Sequence, residues 1–523
     1  MKKKNTFFKA GAVLALSGIV VKAFSAAYRI PLTRMLGADT MGRYSAVFSL
    51  FMPFFSFATA GITTSVAHFT ARCREKDCTG INKIKNTAFG VYVLAALILT
   101  AAFVLFGRFY SYLQQDAIFF YGSLVLAPAI VLAAAENVLK GTTQGQMNML
   151  PTAWANVLES VFKTALGLAG VWWVMHYLQT EKENAAVMAC LAAITLAGLI
   201  CTVYLFFCCR NSCGVQQAEN LKPDMAVKSA DMLKMSVPIG VSALTISLAG
   251  FFDTAVCLPR IDAISYQQIA QSFDGASFMG AGDISMYLFG IWQGMVLSVF
   301  NLTPAVVSPV SSASLPLISG SWAAEDKKSV VRQSRKLFCI TSFLSVPAIV
   351  FIFCFGADIM QLLFDITPQQ SLVALKLLRI LCTGGVFCCF AGAFNTVLYA
   401  AGRSDKVFSI LLSACAVKTC ASWLLCGVPQ INIKAFAVSN VCFYTIIFTR
   451  SIIAVKKLDI NVSLYDIFMF PLLSAITAIL AARWLYLSQF YSFTLILRLF
   501  FTGAAFGLLY MTMIICTGFL VDK

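Results

Sequence analysis

Beyond Lys9, three cations stand inside the first long apolar run of this chain, from Phe7 to Leu36: Lys22, Arg29 and Arg34. A cation at mid-membrane costs roughly 2.5–3.5 kcal/mol on insertion scales, so such residues usually face a protein interior or a watery cavity. Lys22 and Arg29 are seven residues apart, two helical turns, and share one face. That face suits an anion held within the bilayer.

The other charges at membrane depth are few. Glu159 and Lys163 are spaced i,i+4, as are Glu136 and Lys140, so each couple is placed to pair along its own helix. No acid lies within four residues of Lys22, Arg29 or Lys418, which favours a polar cavity around these three. Asp253 and Arg260 lie seven apart near the outer end of the seventh apolar run. Asp253 is a candidate coupling-ion site and Arg260 a candidate substrate contact. Arg34 and Arg43 flank Gly37-Ala38-Asp39, where long cationic side chains reach toward the membrane surface.

Enzyme chemistry finds little support. The two histidines, His68 and His176, fall near opposite membrane faces, with no intramembrane Asp or Ser companion. The segment Gly37 to Tyr44 has the glycines of a phosphate loop but lacks its Lys-Ser/Thr ending, so no ATP site is expected. His68, Cys73 and Cys78 offer three zinc ligands without a fourth, and no metal is expected. The 18 cysteines have no framework spacing and read as small buried apolar residues.

Positioning such cations requires membrane-spanning elements, and the composition supplies them. Of 523 residues, 59% are hydrophobic and only 12% charged, about half the usual charged share of a soluble protein. The net charge of +16 is not one nucleic-acid-binding patch. It is spread over short clusters between alternate apolar runs, as in cytoplasmic loops. Lys2 to Lys4 and the apolar stretch after them imitate a signal peptide, but Lys22 interrupts the approach to a cleavage site, so removal is not expected.

About fourteen spans are expected, at 8–34, 41–69, 86–107, 117–140, 152–177, 185–209, 233–257, 284–307, 336–356, 371–400, 407–428, 433–455, 466–487 and 493–519. An even count puts both termini on one side. Roughly 25 basic residues then fall on that side and about nine on the other, which makes it cytoplasmic. They include Arg72, Arg74, Lys76, Lys83 and Lys85 in one loop and Arg210, Lys222, Lys228 and Lys234 in another.

A faint internal repeat divides the first twelve spans six and six. Gly141-Thr142-Thr143-Gln144-Gly145 precedes Phe162-Lys163-Thr164, and Ala400-Ala401-Gly402-Arg403 precedes Val417-Lys418-Thr419. Repeated halves with polar residues at matching depth are a transporter signature. The expected division is an amino-terminal lobe at 1–212, a cytoplasmic linker at 213–232, a second lobe at 233–457 and two terminal helices at 458–523.

Several stretches carry a family resemblance. They are Tyr28-Arg29-Ile30-Pro31-Leu32-Thr33-Arg34-Met35-Leu36-Gly37-Ala38-Asp39 with Met41-Gly42-Arg43-Tyr44 following, Leu139 to Met149, Val157 to Lys163, Phe300 to Ala305 and Pro429 to Ile433. Together they resemble the stage V sporulation protein B family, the polysaccharide-exporter branch of a superfamily that includes lipid II flippases and multidrug extruders. The resemblance implies an all-α fold of two pseudo-symmetric six-helix lobes around a central cavity, with two further helices forming a lipid groove. It also implies flipping of undecaprenyl-pyrophosphate-linked sugars without ATP. Lys22 then matches a first-helix arginine of lipid II flippases, Arg29 and Arg34 the family's own basic positions, Glu159 and Lys163 its fifth-helix pair, and Lys418 its eleventh-helix lysine. Thr63 and His68 depart from the family's Pro and Lys near the end of the second helix, and Arg43 replaces an apolar position.

The expected function is therefore a flippase or exporter of lipid-linked oligosaccharide in the bacterial cytoplasmic membrane, not an enzyme, with Na+ or H+ as possible coupling cation and no other cofactor. Its expected partners are the lipid-linked substrate and membrane lipids, with neither nucleic acid nor ATP. A cation-coupled multidrug exporter is the first alternative, although it would favour an acidic cavity. A non-transporting membrane scaffold is the second. A membrane glycosyltransferase would need a large outer loop with catalytic acids, and no loop here exceeds some 25 residues.

Overall fold

The computed structural model describes residues 2–75, 80–178, 180–213, 229–273, 283–460, 463–488 and 493–517. Helices joined by short turns make up the described residues, which contain no strand. Twelve described helices are long and apolar enough to cross a membrane, or thirteen if one bent pair counts as a span. The chain is thus an all-α, polytopic membrane protein, and the expected count of fourteen is not reached by this measure. Val20–Cys73 counts once, although Gly37 (φ 74°, ψ 179°) interrupts its helical backbone. Lys76, Cys78, Lys222 and Lys228 lie outside the described residues.

The helices form two compact units, Met1–Ala255 and Val256–Lys523. The first contains α1 (Lys2–Thr59), α2 (Ile62–Glu75), α3 (Ile81–Gln114), α4 (Ile118–Gly145), α5 (Leu150–Tyr177), α6 (Lys182–Cys213) and α7 (Ser229–Phe252). In α3 the buried stripe is Ile84, Ala88, Tyr92, Ala96, Phe103, Gly107 and Tyr110, spaced three, four or seven apart. Leu94, Leu97, Ile98, Leu105 and Phe109 of the same helix are exposed. A face of large exposed aliphatic and aromatic side chains opposite a buried stripe that includes Ala88, Ala96 and Gly107 is the pattern of a helix facing lipid.

Small residues also set the interhelical approach elsewhere. A Cβ at Gly141 would meet the Thr63 carbonyl at 2.9 Å, and one at Gly145 the Ala67 carbonyl at 2.8 Å, so α4 can lie along α2 only with glycine at both positions. The expected second span, 41–69, is broken at Ala60 and Gly61. Gly61 has φ +82°, and a Cβ there would meet the Ser236 carbonyl of α7 at 2.6 Å. Tyr92 ties α3 to the same helix by donating to the Met232 carbonyl at 3.1 Å.

The second unit follows a π-helical stretch, Asp253–Cys257, that straddles the boundary. It contains α8 (Leu258–Asp262), α9 (Tyr266–Ser272), α10 (Ile284–Gly290), α11 (Leu297–Phe300), α12 (Leu302–Ala323), α13 (Lys327–Phe364), α14 (Pro368–Cys382), α15 (Gly385–Ala400), α16 (Ser404–Cys426), α17 (Lys434–Lys456), α18 (Leu464–Ser488) and α19 (Leu495–Cys516). Its core is aromatic. Phe338 of α13 meets Phe394 of α15 with ring centroids 4.9 Å apart, and Phe390 meets Phe468 of α18 at 4.8 Å. The terminal helices pack on α13, where Tyr510 donates to the Phe343 carbonyl at 3.1 Å.

Two further expected spans are discontinuous. The eighth, 284–307, breaks at Asn301, and α12 restarts with Pro304 in its first turn. There the missing proline N–H deprives no helical bond. The tenth, 371–400, is the bent pair α14 and α15, which meet at 44°. Sixteen of the described cysteines are free thiols.

Candidate functional site

The first unit gathers charge where α1, α4 and α5 pack together. Its geometry begins at Gly37. Tyr28 and Tyr44 are sixteen residues apart, roughly 24 Å along an uninterrupted helix, yet each lies within electrostatic reach of the other. The backbone of Gly37 lies in a region that is essentially glycine-only. The turn there folds the second half of α1 back beside the first and brings Tyr44 within electrostatic reach of Arg29. The Tyr28 hydroxyl rests against Gly167 of α5, where a Cβ would lie only 2.7 Å from it.

From α5, Lys163 extends over the Phe48 ring, its Nζ 5.5 Å from the centroid. It feels the charges of both Glu159 and Arg29. Two cations from different helices are thus held in one neighbourhood with a carboxylate. Arg29 and Lys163 are both partly buried.

One turn deeper into the α4–α5 hairpin, Lys140 sits between two carboxylates. Its Nζ is 2.6 Å from Glu136 and 3.9 Å from Glu159. The first pair follows the i,i+4 expectation. The second corrects one: among the ion pairs of the described residues Glu159 is joined to Lys140, not to Lys163. Both Lys140 and Glu136 are buried deeply enough that their pairing is weakly screened. Cys201 of α6 completes this group, with Glu136, Glu159 and Cys201 ligand atoms all within 4.8 Å of one another. A divalent ion does not fit this donor set, because Lys140 already supplies its positive charge and the Cys201 thiol donates to the Ala155 carbonyl at 3.0 Å.

The remaining candidates are placed separately. Lys22 and Arg34 are exposed on α1. Arg43, which sequence reasoning placed at the membrane surface, is held 3.8 Å from Asp39 and donates to Asn184 of α6 at 3.1 Å. Asp253 is only 4% exposed, at the start of the π-helical stretch.

In the second unit, Lys418 is 7% exposed. It lies in the buried stripe of α16 with Ala414, Cys415, Ser422 and Cys426. One turn along, Ser422 donates to Ser439 of α17 at 2.7 Å. Arg260 donates to the Trp423 carbonyl at 2.9 Å and stacks 4.4 Å from that residue's ring. Its contacts therefore cap the end of α16, where carbonyls lack helical partners.

Sequence reasoning missed Tyr28, Tyr44, Phe48 and Cys201. The tyrosines stood within the quoted family motif, but only the turn at Gly37 makes them neighbours.

The polysaccharide biosynthesis protein family model matches residues 7–322, and the MatE family model matches 293–424. Stage V sporulation protein B of Bacillus subtilis (strain 168) is 24% identical over 486 residues, 88% of this chain and 86% of that protein. Among solved structures, lipid II flippase MurJ in an inward closed conformation aligns with TM-score 0.69 and 11% identity, covering 98% of this chain and 100% of that one. An inward-facing multidrug resistance MATE family transporter of the MOP superfamily aligns with TM-score 0.62 and 13% identity, covering 86% of this chain and 100% of that one. The protein therefore has the fold of these membrane transporters, and with more than half its length matched it belongs to the polysaccharide biosynthesis protein family.

Proposed function

We propose that this protein moves an undecaprenyl-pyrophosphate-linked oligosaccharide, a lipid II or polysaccharide precursor, across the bacterial cytoplasmic membrane by alternating access. The observation that carries the reading is the convergence of Arg29 from α1 and Lys163 from α5 within a membrane-spanning unit. Two like charges repel strongly in a low-dielectric site, and a bound pyrophosphate would convert that repulsion into attraction. Its oxygens would accept charge-assisted hydrogen bonds, which are roughly twice as strong as neutral ones. Glu159, shared with Lys140, would limit the net positive charge and accept from sugar hydroxyls.

Lys22, two turns from Arg29, would make a further contact with the pyrophosphate, and Lys418, buried in the second unit, is a further proposed substrate contact. Arg34 would guide the head group near the membrane surface. Asp253 is the proposed coupling site for Na+ or H+, and no ATP is consumed. The six-helix lobes at 1–212 and 233–457, with both termini cytoplasmic, would provide the alternation. The names of the relatives, a sporulation protein and a lipid II flippase, support a cell-envelope substrate.

The test is reconstitution. Purified protein in liposomes should move a fluorescent undecaprenyl-pyrophosphate disaccharide between leaflets without ATP, whereas empty liposomes should not. Equal rates in the two preparations would remove the flippase reading.

A further inference from the structure

In the second unit, the α15–α16 turn and the end of α17 border an open pocket of about 350 Å³. Four of its lining residues are cationic: Arg403, Lys406, Arg450 and Lys457. None of its lining residues is acidic. Among the described residues none of these four cations takes part in an ion pair, whereas the nearby Asp459 is joined to Lys327 at 3.9 Å. Asp405, in the first turn of α16, lies outside the lining.

The backbone fixes this arrangement. Gly402 has φ +70°, and the Arg403 N–H donates to the Leu398 carbonyl at 2.9 Å, so the chain reverses tightly between the two helices. Arg403 then precedes α16, whose start has no side-chain cap, so the positive end of the helix dipole adds to the cations. Arg450 reaches across from α17 to donate to the Ser413 hydroxyl of α16. Ser409 offers a further hydroxyl, while Leu398, Ile410, Ile453, Ala454 and Leu458 form an apolar wall.

We propose that this pocket binds the phosphate of an anionic glycerophospholipid, with the lipid's chains running along the apolar wall. Four exposed cations clustered without an acid make a local positive field that attracts an anion, and phosphate suits the mixed arginine and lysine donors. Basic pockets between membrane helices recognise phospholipid head groups in this way. Ile453, 56% exposed beside the cations, offers acyl chains an apolar surface and favours a lipid over a free phosphate.

Binding to protein in nanodiscs separates the sources. Native mass spectrometry should detect retained phosphatidylglycerol but not phosphatidylcholine, and inorganic phosphate should bind far more weakly than the lipid. Replacing two cations, as Arg403→Gln with Lys406→Gln or independently Arg450→Gln with Lys457→Gln, should weaken phosphatidylglycerol retention by roughly 30-fold. Lys83→Gln with Lys85→Gln, an equal loss of charge in the first unit, should leave it unchanged. Thermal unfolding confirms that at least one pocket variant is folded. The proposal is overturned if a folded pocket variant retains the lipid normally, if the Lys83 and Lys85 variant loses it equally, or if inorganic phosphate binds as tightly as lipid.

Discussion

Lys140 joins two carboxylates that reach it by different routes. Glu136 approaches along α4 at 2.6 Å, and Glu159 from α5 at 3.9 Å. Only the first was legible from spacing, because an i,i+4 pair is decided within one helix. The second depends on how the α4–α5 hairpin closes. Lys140→Met should therefore leave Glu136 buried and uncompensated, at a cost of about 3–5 kcal/mol. Lys140→Met combined with Glu136→Leu should recover most of that loss, because an apolar pair can replace a buried ion pair. Thermal unfolding of the purified variants in detergent checks both. A single variant as stable as the parent would show that the pair contributes nothing. The same limit of local reading applies to Arg260: its depth in the apolar run suggested substrate, whereas its guanidinium stacks on Trp423 and accounts for its placement.

At the level of elements, glycine and proline decide where the apolar runs become helices. Hydropathy located nearly every helix, since lipid-facing and core-facing residues both raise it. It also placed a break between 34 and 41, around Gly37, but could not locate those at Gly61, Asn301 and Thr383–Gly384, which arise from backbone conformation and close contacts between distant residues. Gly37 is the break that matters for the site. A Cβ there would meet nothing within 4 Å, so any cost of Gly37→Ala lies in the backbone alone. That substitution should destabilise the protein by about 1–3 kcal/mol and reduce transport, because Tyr44 and Phe48 would lose their place beside Arg29 and Lys163. Gly90→Ala is the matched control. Gly90 lies within α3 with an ordinary φ and equally open space. Alanine there should stabilise the helix by about 0.5–1 kcal/mol. Melting temperature and flipping rate, measured on both variants, separate the two; a neutral Gly37→Ala would mean the turn needs no glycine.

For the whole molecule, the features that bound function are its membrane class, its two compact units and its family. A basic site inside a membrane-spanning unit distinguishes an anion carrier from an exporter of cations, and all else in the functional proposal rests on that site binding its substrate's pyrophosphate. The most direct measurement is leaflet-to-leaflet flipping of a fluorescent undecaprenyl-pyrophosphate sugar in proteoliposomes, comparing the parent with Arg29→Ala, Lys163→Ala, Lys22→Ala and Lys22→Arg. Expression and thermal unfolding are checked on each. Charge should matter more than shape at Lys22, so Lys22→Arg should keep activity. The three alanine variants should each lose most of it while remaining folded, since removing an intramembrane cation also removes an insertion penalty. Flipping at the parent rate by a combined Arg29→Ala and Lys163→Ala variant would contradict the account.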